Sequence, residues 1–100
     1  MAVFRILEAT ARPGAADRVA QLLLRQERDV VAYAEGVVFA QSLRSGDRVL
    51  AVSSWRSPED LRRYLDLPET GAFYRELPGL LMGMPSVRTF EVIGDGGEPA

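Results

Sequence analysis

The alternation of apolar and polar side chains changes period several times along the chain, and each change marks a predicted element. Residues 3–11 are rich in alternating and β-branched side chains, which predicts a strand; Arg12-Pro13-Gly14 ends it. From about 15 to 34, Val19, Leu22, Leu23, Gln26, Val30 and Tyr33 recur at three- to four-residue spacing and form one broad helical face. Gly36 then supplies the left-handed stop. Residues 37–44 and 48–55 read as two strands joined by the turn Ser45-Gly46-Asp47. Ser57-Pro58-Glu59-Asp60 is a helix start, with Ser57 as N-cap, Pro58 in the first helical position and Asp60 in the capping-box position. That helix runs to about Leu65 and stops before Pro68. A short helix over 70–77 closes at Pro78-Gly79, and 86–93 forms the last strand. Residues 1–94 are read as one domain and 95–100 as a flexible tail.

The order β-α-β-β-α-(α)-β, with right-handed crossovers, places the main helices on one face of a four-stranded antiparallel sheet. This is an α+β, ferredoxin-like sandwich. A sheet face open to water should be polar at alternating positions. Here Leu50 and Val52 oppose Val49, Ala51 and Trp55 in the third strand. Val37, Phe39 and Leu43 oppose Val38 and Ala40 in the second, and Val3 and Leu7 oppose Phe4 and Ile6 in the first. Both faces are largely apolar. Helices cover one; a second copy of the same sheet is the simplest cover for the other, so a homodimer through the sheet face is expected.

Size and composition agree with this picture. One hundred residues make a single domain that buries only ~60–65% of its unfolded surface, so self-association would add stability. With 47% hydrophobic and 26% charged residues the composition is that of a globular protein. A net charge of −2 without a basic stripe disfavours a nucleic-acid partner. No apolar run approaches the ~20 residues of a membrane span. The first residues enter a strand pattern rather than a signal-peptide pattern, so a cytoplasmic location is expected. The chain contains no Cys, His, Lys or Asn. That removes the thiolate nucleophile, the usual imidazole base and haem or zinc ligand, the Schiff-base amine and the phosphate-binding lysine.

The ordered motifs resemble the antibiotic biosynthesis monooxygenase family of small dimeric α/β-barrel proteins. They are the opening strand, the helix ending at Glu35-Gly36-Val37, and the hairpin ending in Trp55. The Ser57-Pro58-Glu59-Asp60-Leu61 helix start and the Leu77-Pro78-Gly79-Leu80 segment before the final strand complete the set. The resemblance spans about residues 3–93. It implies a dimeric α/β barrel and oxidation of an aromatic polyketide or quinol by O2, with no metal or flavin cofactor. In the polyketide-oxidising branch a strand-end Trp and a helix Tyr, with Asn, His and Arg nearby, are associated with substrate. Trp55 matches the Trp. The Asn position four residues earlier is Ala51, the helix Tyr position is Leu61 with Tyr64 one turn on, and the His has no counterpart. Arg75 lies near the family's Arg region. The haem-degrading branch needs His and Asn and is excluded.

Trp55, Tyr64 and Arg75 are therefore the candidate catalytic residues, and Arg5, Gln41, Phe73, Tyr74, Met82 and Arg88 the candidate substrate-binding residues. Trp55 is suited either to stacking on a flat substrate or to closing the sheet end as core. Tyr64 and Tyr74 can hydrogen-bond a phenolate or exchange a proton, or sit with hydroxyls in water. Arg5, Gln41 and Arg88 are polar residues in strands, suited to an anionic ligand or to structural ion pairs with Glu8 or Glu91. Met82 and Met84 suit an adaptable pocket or a gap under the last helix. Two functions fit: an oxygenase or cyclase-like enzyme acting on a small aromatic molecule, and a non-catalytic dimeric module that binds a small ligand.

Overall fold

The computed structural model describes residues 1–94. Its strands are β1 (Val3–Thr10), β2 (Val37–Ser45), β3 (Arg48–Trp55) and β4 (Ser86–Glu91); its α-helices are α1 (Ala16–Asp29), α2 (Pro58–Leu65) and α3 (Pro68–Glu76). All strand pairs are antiparallel, in the spatial order β2-β3-β1-β4. This is the four-stranded ferredoxin-like sheet expected from the element order. Among the described residues no helix is long and apolar enough to cross a membrane. The tail expected at 95–100 lies outside the described residues.

The boundaries follow local chemistry. The helix expected over 15–34 is instead two pieces, α1 and a 3-10 turn at Val31–Tyr33. Val30 leaves the helical region (φ −124°, ψ −59°) where the β-branched pair Val30-Val31 begins, and the chain tightens into the shorter repeat. Tyr33, placed on the buried face by a continuous helix, is consequently exposed. Gly36 has φ +84°, as its stop position requires. The hairpin turn is tighter than expected, because Ser45 pairs with Arg48 and only Gly46 and Asp47 remain in the loop. Ser57 caps α2, its Oγ accepting from the Asp60 amide at 3.1 Å. α3 begins at Pro68 rather than Thr70, with the proline in the first turn, where its missing N–H costs nothing. Pairing at the ends is also shorter: Ala11 forms an isolated bridge to Leu81, and β4 stops at Glu91.

Register settles which side chains share a face. Val3, Arg5, Leu7 and Ala9 of β1 pair with Trp55, Ser53, Ala51 and Val49 of β3, beneath the helices. In β2 the register shifts between Val37 and Phe39. This bulge gives one strand an extra residue and reverses the faces beyond it. Val37, Ala40 and Ser42 therefore lie on the helix side while Phe39, Gln41 and Leu43 lie on the other, correcting the simple alternation that grouped Val37 with Phe39. The open face carries a transverse aromatic row, with Phe39 opposite Ser54, Ser54 opposite Phe4 and Phe4 opposite Phe90. Small Ser54 lets the Phe4 and Phe39 rings approach to 6.1 Å between centroids.

The core under the helices falls into two clusters. One joins Leu7, Ala9, Val19, Leu22, Leu23, Val49, Phe73 and Leu77. The other joins Val3, Val31, Trp55, Leu61 and Tyr64 at the far end of the sheet.

Candidate functional site

A cavity of about 50 Å3 lies where the two clusters meet, lined by Leu7 and Leu23 of the first and Val31 and Tyr64 of the second. Its floor explains why it exists. The facing rows of β2 and β3 carry Ala40 opposite Ser53 and Ser42 opposite Ala51, four small side chains that leave the space beneath the helices unfilled. Arg5 enters the same row from β1, opposite Ser53. Phe73 and Tyr74 of α3, and Gln26 and Glu27 of α1, complete the lining.

Three hydrogen-bonded groups give the cavity its polarity. Gln26, buried on the apolar face of α1, donates from Nε2 to the Tyr64 hydroxyl at 2.9 Å and to Thr70 Oγ1 at 3.3 Å. Burial pushes the Tyr64 phenol above its ordinary pKa, opposed by the hydrogen bond from Gln26. At neutral pH Tyr64 is therefore a hydrogen-bond donor and not a base. In the second group, the Arg5 guanidinium donates from Nη2 to the Tyr74 hydroxyl at 2.8 Å. The Phe73 and Tyr74 rings meet edge to face at 5.0 Å. Glu27 accepts from Ser42 Oγ at 3.2 Å.

The nine residues singled out from sequence do not converge on one place. Tyr64, Arg5, Phe73 and Tyr74 line the cavity. Gln41 contributes to its floor, but its register with Val52 and Ile6 puts its side chain on the opposite face. Trp55 is fully buried and lies behind Tyr64, stacked on it and donating from Nε1 to Ser53 Oγ at 2.9 Å. Arg75 is exposed on α3, outside the lining. Met82 and Arg88 border a separate depression with Thr10 and Met84, where Glu8 pairs with both Arg48 and Arg88. Those pairs, chiefly the hydrogen bond from Arg48, lower the Glu8 pKa. Gln26, Glu27, Ser53 and Thr70 were not singled out for function. Gln26 had been placed on the buried helical face, and a polar side chain on such a face is a signal for a buried network.

No group of three or more Asp or Glu side chains among the described residues is arranged to hold a metal ion. The donor set is instead phenolic, guanidinium, amide and hydroxyl, suited to binding and orienting an organic molecule with oxygen substituents.

No curated protein matches the chain in sequence. Solved structures match it closely in shape. Rv0793 from Mycobacterium tuberculosis superposes with a TM-score of 0.89 at 17% identity, over 97% of this chain and all of the other. SnoaB, a cofactor-independent oxygenase from Streptomyces nogalater, gives a TM-score of 0.84 at 20% identity, over 97% of this chain and 98% of its own. At these identities the likeness establishes a shared fold. The sequence model of the antibiotic biosynthesis monooxygenase family matches residues 2–76, three quarters of the length, and the chain belongs to that family.

Proposed function

We propose that this protein is a monooxygenase-like enzyme that takes a small aromatic or quinol-type molecule, of the kind found among aromatic polyketides, into the cavity between the sheet and α1 and α3. The observation that carries this reading is the cavity itself. Its lining is mostly apolar and aromatic, and two phenols and a guanidinium converge on it in a chain of this family. The substrate supplies its own reactivity. A methylene activated by a neighbouring ring loses a proton, and the carbanion reduces O2. One oxygen atom is retained as a new carbonyl and the other leaves as water, so no external reductant is needed. Tyr64, held by Gln26 and backed by Trp55, orients the substrate as a donor, and Phe73 packs on its ring. Glu27, a carboxylate in the lining, is placed to accept the proton.

The size of the cavity adds a requirement. About 50 Å3 is well below the ~150 Å3 that holds benzene, so a ring enters only if lining side chains move outward. Tyr74, half-buried on the short α3, is the side chain best placed to move. The same small volume favours the second reading, a non-catalytic module for a small ligand. Aerobic incubation with a simple anthrone, following O2 uptake and quinone absorbance, separates them. Uptake that depends on the protein and falls in Tyr64→Phe supports the oxygenase. Absence of uptake together with binding supports the module.

A second copy of the chain is proposed to cover the open face. Phe39, Leu43 and Phe90 are 40%, 46% and 49% exposed on it, beside Phe4, Ile6 and Leu50.

A further inference from the structure

The reading above leaves open what class of aromatic molecule the cavity accepts, and Arg5 narrows it. We propose that the cavity selects ligands bearing an anionic oxygen (a carboxylate, phenolate or enolate), with Arg5 as the charged partner and Tyr74 as the second donor. The inference rests on the cavity being the ligand site and adds the charge of the ligand.

Arg5 is the one cationic residue in the lining, and it sits between Val3 and Leu7 on the helix-covered face of the sheet. Among the described residues no carboxylate lies within ion-pair distance of it. Glu8, Asp17, Glu35, Asp60 and Glu76 pair with Arg48 and Arg88, Arg44, Arg63 and Arg25. Glu27, the lining carboxylate, is engaged by Ser42 instead. The acceptor found for Arg5 is a neutral phenol. Its remaining N–H groups have no protein acceptor among the described residues, yet no side-chain nitrogen there is both sealed from solvent and unpartnered. Those groups therefore remain accessible.

A half-buried guanidinium with no counter-charge among the described residues leaves its charge and its free donors available to an anion that enters the cavity. The planar fork presents its free donors in the geometry that matches two oxygens of one group. Tyr74 reinforces this. Its oxygen accepts from Arg5, so its own proton is free for a further acceptor, and both donors can reach one oxyanion.

Calorimetric titration of the full chain with 2-naphthoate and with 2-naphthamide, near-identical in shape and different in charge, tests the proposal. The expected result is naphthoate binding at least about tenfold tighter, with the preference lost in Arg5→Gln. Should Arg5→Gln not fold, Tyr74→Phe serves instead, lowering naphthoate affinity by a larger factor than naphthamide affinity and so narrowing the ratio between them. Equal binding of the two ligands, or a naphthoate preference that survives Arg5→Gln, overturns the assignment while leaving an aromatic site intact. Binding of neither ligand overturns the site itself.

Discussion

Trp55 and Tyr64 stack with ring centroids 4.9 Å apart and planes 28° apart, and only Tyr64 reaches the cavity. Trp55 thus packs behind Tyr64 and fixes its ring. Replacing Trp55 with Ala removes a fully buried side chain and is expected to destabilise the fold by about 3–5 kcal/mol in chemical denaturation. Trp55→Phe keeps the stacking partner, costs less, and should retain anthrone turnover in proportion to folded protein. A Trp55→Phe variant that is fully folded and inactive would instead place the indole in contact with substrate.

Tyr64 links stability to pH. Its phenol is raised by burial, so the unfolded chain releases that proton first as pH climbs past the ordinary tyrosine range of about 10. The folded state then holds more protons than the unfolded state, and stability falls with rising pH. The contribution is intact below about pH 10 and disappears as pH passes through the raised folded value. Tyr64→Phe should flatten this alkaline limb in urea melts recorded across pH. At neutral pH it should cost about 1–2 kcal/mol, because Gln26 keeps only Thr70 as acceptor.

Much of the scaffold was legible from sequence because its signals are local. The Ser57 cap, the left-handed Gly36 and most period changes each depend on a few neighbouring residues and recur in the structure, although α1 stops at Asp29, short of Gly36. The face assignment in β2 was not legible. Nothing in Val37-Val38-Phe39-Ala40 announces a bulge, which arises from pairing with β3, and one extra residue sends Phe39 to the opposite face from Val37. The site shows the same division. Arg5 and Tyr74 could be singled out individually, but their hydrogen bond joins residues 69 positions apart. The cavity depends on Ala40, Ser42, Ala51 and Ser53 meeting across strands, which requires the register.

Gly36 is held by sterics as well as by its dihedral. A Cβ there would overlap the Asp60 side chain, on a backbone with φ +84°. Gly36→Ala should therefore destabilise by about 2–4 kcal/mol. Gly46→Ala, with φ +61° but open space around it, should cost only about 1–2 kcal/mol. Thermal melts of the two variants side by side check the difference.

The open face predicts its own behaviour. Placing a charge in the aromatic row, as in Phe90→Glu, should yield a folded monomer by sedimentation equilibrium where the unaltered chain sediments as a dimer. A monomeric unaltered chain would remove the second copy from the account.

The central claim is that the ligand site is the cavity beneath α1 and α3. Backbone amide chemical-shift mapping during titration with anthrone tests it most directly. The account predicts that the largest shifts cluster at Arg5, Ala40, Ser53, Tyr64, Phe73 and Tyr74. Shifts concentrated instead at Phe4, Phe39, Leu43 and Phe90, on the far side of the sheet, would contradict it.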